Sequence, residues 1–78
     1  MNRDAMKAHL DRAGVHPDEY HLYERPHDGF YIVPMAIGWA VYRQERGIKS
    51  ERKTFMSEAA ACAYLVTLLT GHGMKGRP

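Results

Sequence analysis

Cysteine occurs once in the 78 residues, as Cys62, so an internal disulfide and a cage of paired thiolates are both excluded. Small exported domains often rely on such staples to offset a thin core. Surplus charge is also scarce: eleven Lys/Arg against nine Asp/Glu leave a formal net charge of +2. That balance argues against a surface that follows a nucleic-acid backbone over its whole extent. Long apolar runs are missing, and mean hydropathy is −0.50, which argues against membrane residence. The opening stretch MNRDAMKAHLDRAG spaces charges where an export signal would carry an unbroken apolar segment. A cytoplasmic, reducing environment is the expectation. There is no internal repeat, no low-complexity tract and no glycine-rich phosphate loop.

What is present fits one small soluble domain. Hydrophobic residues make up 45% and charged residues 26%, ordinary values for a globular chain whose length allows only a small core. The expected organisation is a single α+β domain over residues 1–70 and a flexible C-terminal tail over 71–78, where HGMKGRP has no periodicity.

Periodicity assigns the elements. Asn2 can cap a helix over 3–13 that places Met6, Leu10 and Ala13 on one face, and Gly14 can end it in the left-handed conformation with Val15 folding back on Leu10. After the turn His16-Pro17-Asp18 the period changes to two over 20–25, with Tyr20 and Leu22 on one face and His21 and Tyr23 on the other. Asp28-Gly29 is the strongest short hairpin signal, and the run Phe30 to Val33 forms the second strand, closed by Pro34. Gly38 opens a third strand, and Glu45-Arg46-Gly47 reads as a three-residue loop leading to a fourth. An odd loop preserves facing across this hairpin. Trp39, Val41 and Phe55 then point inward with Lys53, whereas Tyr42, Arg52 and Thr54 share the outer face. Ser57 caps a final helix over 58–70 with two adjacent apolar stripes. The order is α-β-β-β-β-α: a small antiparallel meander of three to four strands with the N-terminal and C-terminal helices packed on one face.

Catalytic chemistry is not indicated. The five histidines lack the spacing of a zinc motif. Cys62 lies mid-helix among alanines, where burial suppresses the thiolate, and Ser57 is explained as a cap. No enzyme activity, metal or cofactor is expected. Charge, however, is unevenly placed. Residues 1–37 hold four Lys/Arg against six Asp/Glu, net −2, whereas residues 38–56 hold five against two, net +3. This hairpin marks Tyr42, Arg43, Arg46, Lys49 and Arg52 as the candidate contact surface, since aromatic and arginine side chains dominate interface energies.

Three resemblances carry two function classes. A Trp-led strand, a glycine turn, a basic strand ending in Phe and a capped helix resemble the arm-type DNA-binding domains of phage integrases. That resemblance implies a nucleic-acid-binding face with Arg46, Lys49, Arg52 and Lys53 on phosphates; a weaker one points to double-stranded-RNA-binding domains. A second pattern spans 13–69: Ala13-Gly14-Val15, Tyr20 and Leu22, Trp39, Val41-Tyr42, Glu45-Arg46-Gly47, Phe55, Glu58, Ala61-Cys62 and Tyr64-Leu65. It resembles small bacterial single-domain proteins encoded beside polymorphic toxins, which are candidate immunity proteins. The implied function is a non-catalytic protein-binding module that inhibits a cognate toxin domain, and it ranks above nucleic-acid binding. A monomer is expected rather than a homodimer.

Overall fold

The structure, a computed structural model, describes residues 1–71; the expected flexible tail falls, beyond Gly71, outside the described residues. The expected order α-β-β-β-β-α is present: α1 is Arg3–Arg12, β1 Tyr20–His21, β2 Gly29–Pro34, β3 Trp39–Glu45, β4 Ile48–Phe55 and α2 Glu58–Thr70. The strands form one sheet in sequence order.

Local chemistry fixes the helix ends. The Asn2 side chain accepts the Ala5 N–H at 2.8 Å, and the Ser57 hydroxyl accepts the Ala60 N–H at 3.1 Å, each satisfying one orphan donor of a first turn. At the end of α1 the Val15 N–H reaches the Leu10 carbonyl and the Gly14 N–H reaches that of Asp11, the paired bonds of a Schellman ending with Gly14 at φ +85°. Both helices pack on one sheet face. Met6 and Leu10 of α1, Ala61, Cys62 and Leu65 of α2, and Tyr20, Ile32 and Val41 of the sheet form the main core. Trp39 and Phe55 sit half-buried at its edge. Burial in this core pushes the Cys62 thiol pKa up.

The sheet is mixed, and here the expected meander needs correction. β1 is only two residues long and runs parallel to β2, pairing Tyr20 with Phe30 and His21 with Tyr31. The Asp28-Gly29 pair therefore makes no hairpin. The Asp28 carboxylate instead accepts the Arg46 N–H at 2.9 Å, tying the start of β2 to the distant turn. Gly29, at φ +135°, lets β1 approach, since a Cβ there would meet the His21 Nε2 at 3.1 Å and the Glu19 carbonyl at 3.2 Å.

Residues 22–28 must then return the chain to the start of β2: Leu22 still packs on the helix-side core and its carbonyl accepts from Arg3, and the segment from Glu24 onward lies over the face opposite the helices. Two backbone acceptors of this crossing, the Arg25 and His27 carbonyls, are satisfied by sheet side chains. Gln44 Nε2 donates to both, and the single proton of Tyr31 Oη is shared between the same two acceptors. A second buried cluster of Tyr31, Val33, Ala40 and Tyr42 results.

The β3–β4 turn also differs from expectation. It has two residues, Arg46 and Gly47, both at positive φ (54° and 80°), the backbone of a type I′ hairpin. The facing of Trp39 with Phe55 and of Val41 with Lys53 nevertheless holds. A bulge opposite Tyr42, with Glu51 at φ +55°, supplies the extra residue that the turn does not.

Candidate functional site

Three of the five expected contact residues gather on the face opposite the helices. Tyr42 lies there by strand alternation, Lys49 pairs in register with Gln44, and Arg52 follows the bulge. They surround an open cavity of about 260 Å³ with Val33 and Ala40 at its base and Glu24 on the opposite rim.

Tyr42 lies under the crossing segment, only 3% exposed, and is not the free aromatic that strand alternation alone suggests. Its ring stacks on that of Tyr31, and its hydroxyl donates to Glu24 Oε2 at 3.3 Å. Burial, reinforced by the Glu24 charge and this hydrogen bond, pushes its pKa up to about 12. The phenol therefore stays a neutral donor at any physiological pH. Lys49 Nζ lies 5.1 Å from the Tyr42 ring centroid and 3.4 Å from Glu24 Oε2, so its charge is shared between a π face and a carboxylate.

Arg52 differs from both. Its Nη2 contacts the Met35 sulfur at 3.6 Å, and among the described residues no carboxylate lies within ion-pair distance of it. A thioether is a weak acceptor for a group with five N–H donors in a planar fork. The guanidinium is thus held at the cavity rim with most of its hydrogen-bonding capacity directed outward.

The other two residues lie elsewhere. Arg43 is on the helix-side face, beyond the cover of α2, and is engaged by Glu45 at 3.3 Å and Glu51 at 3.9 Å. Arg46 occupies the turn, its side chain exposed and its backbone N–H given to Asp28. Lys53, named in the nucleic-acid expectation, shares the helix-side face with Val41. Sequence reasoning missed Glu24 and Met35. Glu24 lies in a stretch that alternates like a strand, and its placement depends on the crossing, which no local pattern announces.

No described helix is long and apolar enough to cross a membrane. Among the described residues no group of three His, Cys, Asp or Glu side chains converges as a metal site would require. Comparison with protein-family models, with curated proteins and with solved structures finds no match.

Proposed function

We propose that this chain is a non-catalytic protein-binding module that recognises a partner through carboxylates presented to the Lys49–Arg52 rim. The supporting observation is Arg52 itself: an arginine beside an open cavity and engaged, among the described residues, only by a thioether is poised for a bidentate partner. Arginine is among the residue types enriched at interface centres, and the buried Tyr42 and the Glu24-paired Lys49 form the wall beside it. The resemblance to candidate immunity proteins makes a bacterial toxin domain the specific partner. On this reading the chain blocks the toxin stoichiometrically in the cytoplasm, where a reduced Cys62 is at home.

The test is a genomic and biochemical pair. A long neighbouring reading frame with a variable C-terminal domain should be found, and that domain should co-purify with the chain one to one. Arg52→Glu should weaken the complex at least tenfold, whereas Arg43→Glu, on the opposite face, should leave it unchanged. A gene set among unrelated enzymes, with no complex recovered, would count against the proposal. Binding of a labelled duplex that falls steeply with added salt would favour the nucleic-acid reading instead.

A further inference from the structure

The β2–β3 connection carries an apolar residue where local chemistry does not call for one. β2 and β3 pair as far as Pro34 with Trp39, and the Met35 N–H donates to the Gly38 carbonyl at 2.9 Å. Only Ala36 and Ile37 remain as the tip of this tight reversal. Such tips select Asn, Asp or Gly because those residues adopt turn geometry at little cost. Ile37 is β-branched and 75% exposed, so burial among the described residues does little to compensate its presence. Met56, in the short link between β4 and α2, is 82% exposed. The two segments lie side by side, since a Cβ on Gly38 would stand 2.2 Å from the Phe55 carbonyl oxygen and 3.4 Å from the Met56 Cα. Met35, exposed on the same reversal, continues this surface to Arg52.

We infer that the end of the sheet bearing Met35, Ile37 and Met56 is a docking surface for an acidic partner segment with interspersed apolar side chains, its carboxylates meeting Arg52. The inference rests on the protein-binding reading and extends it from the cavity rim to the adjoining apolar end. Rules of turn chemistry are broken where function requires it, and methionines adapt readily to varied apolar partners. Charge selects the occupant. Arg52, which contacts Met35 and has no carboxylate partner among the described residues, borders the patch, so an acidic segment would neutralise it whereas a second copy docked by the same end would bring two such guanidinium groups together.

The experiment selects a random library of short displayed peptides on the full-length protein and then measures each enriched peptide against three variants. Enriched peptides should combine Asp or Glu with Leu, Ile or Phe. They should lose at least tenfold in affinity for Ile37→Asn/Met56→Ser and for Arg52→Glu, while Arg43→Glu binds normally. Ile37→Asn should melt no lower than the parent, which separates lost binding from lost fold. Failure to enrich any peptide, enrichment of peptides without net negative charge, or equal binding to the variants would overturn the inference. So would Ile37-dependent sedimentation with phosphatidylserine vesicles, or Ile37-dependent dimerisation. A cognate complex that forms but ignores Ile37→Asn/Met56→Ser overturns this inference alone; absence of any complex counts against the protein-binding reading itself.

Discussion

Tyr31 and Tyr42, directly opposite each other on β2 and β3, stack with ring centroids 5.1 Å apart and planes within 7°. Both are buried on the sheet face away from the helices. Neither helix covers them; the segment from Glu24 to His27 does. The second core of this small domain is therefore roofed by a connection with no regular structure, held down by side-chain hydrogen bonds. A pair of aromatics in this offset arrangement adds about 0.5–1.5 kcal/mol beyond its area burial.

Two tyrosine-to-phenylalanine substitutions should move stability in opposite directions. The Tyr31 hydroxyl lies 2.7 and 2.5 Å from the Arg25 and His27 carbonyls and shares its single proton between them, so Tyr31→Phe should cost about 1–2 kcal/mol, part of it recovered because Gln44 serves the same acceptors. The Tyr20 hydroxyl is buried and finds no partner among the described residues. Tyr20→Phe should be neutral or stabilising by up to about 1 kcal/mol. Urea denaturation of both variants decides the matter, and a Tyr20→Phe loss larger than that of Tyr31→Phe would refute the account of the second core.

Stability should fall at alkaline pH through Tyr42. Its folded pKa of about 12 lies above the ordinary value of 10.0, so between those pH values the unfolded chain releases a proton that the folded chain keeps. The folded state binds more protons in that window, and its stability decreases as pH rises. The contribution is complete below pH 10 and amounts to about 2 kcal/mol, allowing for the exposed Glu24 carboxylate that supplies part of the shift. Denaturant midpoints measured from pH 9 to 12 should show a shallower decline for Tyr42→Phe than for the parent. Equal slopes would mean that Tyr42 titrates normally.

Much of this fold could be read from short stretches, and the parts that could not share one cause. The caps at Asn2 and Ser57 and the stop at Gly14 depend on residues within one turn of one another, and each stands where the sequence places it. Asp28-Gly29 carried an equally strong local signal, yet Asp28 binds the Arg46 N–H, eighteen residues away, and Gly29 makes room for His21. The short parallel β1 follows from that arrangement, and so does the roof over Tyr42. The facing of β3 and β4 was legible for a compensating reason: the turn is one residue shorter than Glu45-Arg46-Gly47 implied, and the Glu51 bulge restores the count. At the candidate site, Arg52 follows from alternation, whereas Lys49, which the expected parity put on the helix face with Lys53, is turned to the opposite face by the bulge, and Glu24 and Met35 come from other connections.

Gly38 and Gly47 offer a direct test of the packing around the two hairpins. Both have positive φ, +85° and +80°. A Cβ at Gly47 would meet nothing within 4 Å, whereas one at Gly38 would lie 2.2 Å from the backbone oxygen of Phe55. Gly47→Ala should cost only the left-handed strain of about 1–2 kcal/mol. Gly38→Ala adds a clash with main chain and should exceed it by at least about 1 kcal/mol, with local displacement of Phe55 and Met56. Thermal melts give the ranking, and a Gly38→Ala variant as stable as Gly47→Ala would show that the 34–38 reversal is looser than described.

The composition of α2 bears on self-association. Its sequence is apolar nearly all round, which raises the question of what covers the side away from the sheet. The fully buried residues are Ala61, Cys62 and Leu65, packed with Met6 and Leu10 of α1. The outward residues Ala59, Ala60, Ala63 and Thr67 carry at most three heavy side-chain atoms each, and Val66, Leu68 and Leu69 are already half-buried. Burying an apolar side chain contributes in proportion to its area, at about 25 cal/mol per Å². A surface of alanine methyls gives little against the ordering and loss of freedom on dimerisation. The chain should sediment at micromolar concentration as one species near 8.9 kDa, and Ala63→Glu should leave both that value and the melting temperature unchanged. Leu10→Ala should cost about 2–5 kcal/mol by opening a cavity between α1 and α2, a large share of the stability available to a domain this size. A species near twice the chain mass that Ala63→Glu dissociates would instead establish α2 as a dimer contact and make part of the apparent stability depend on protein concentration.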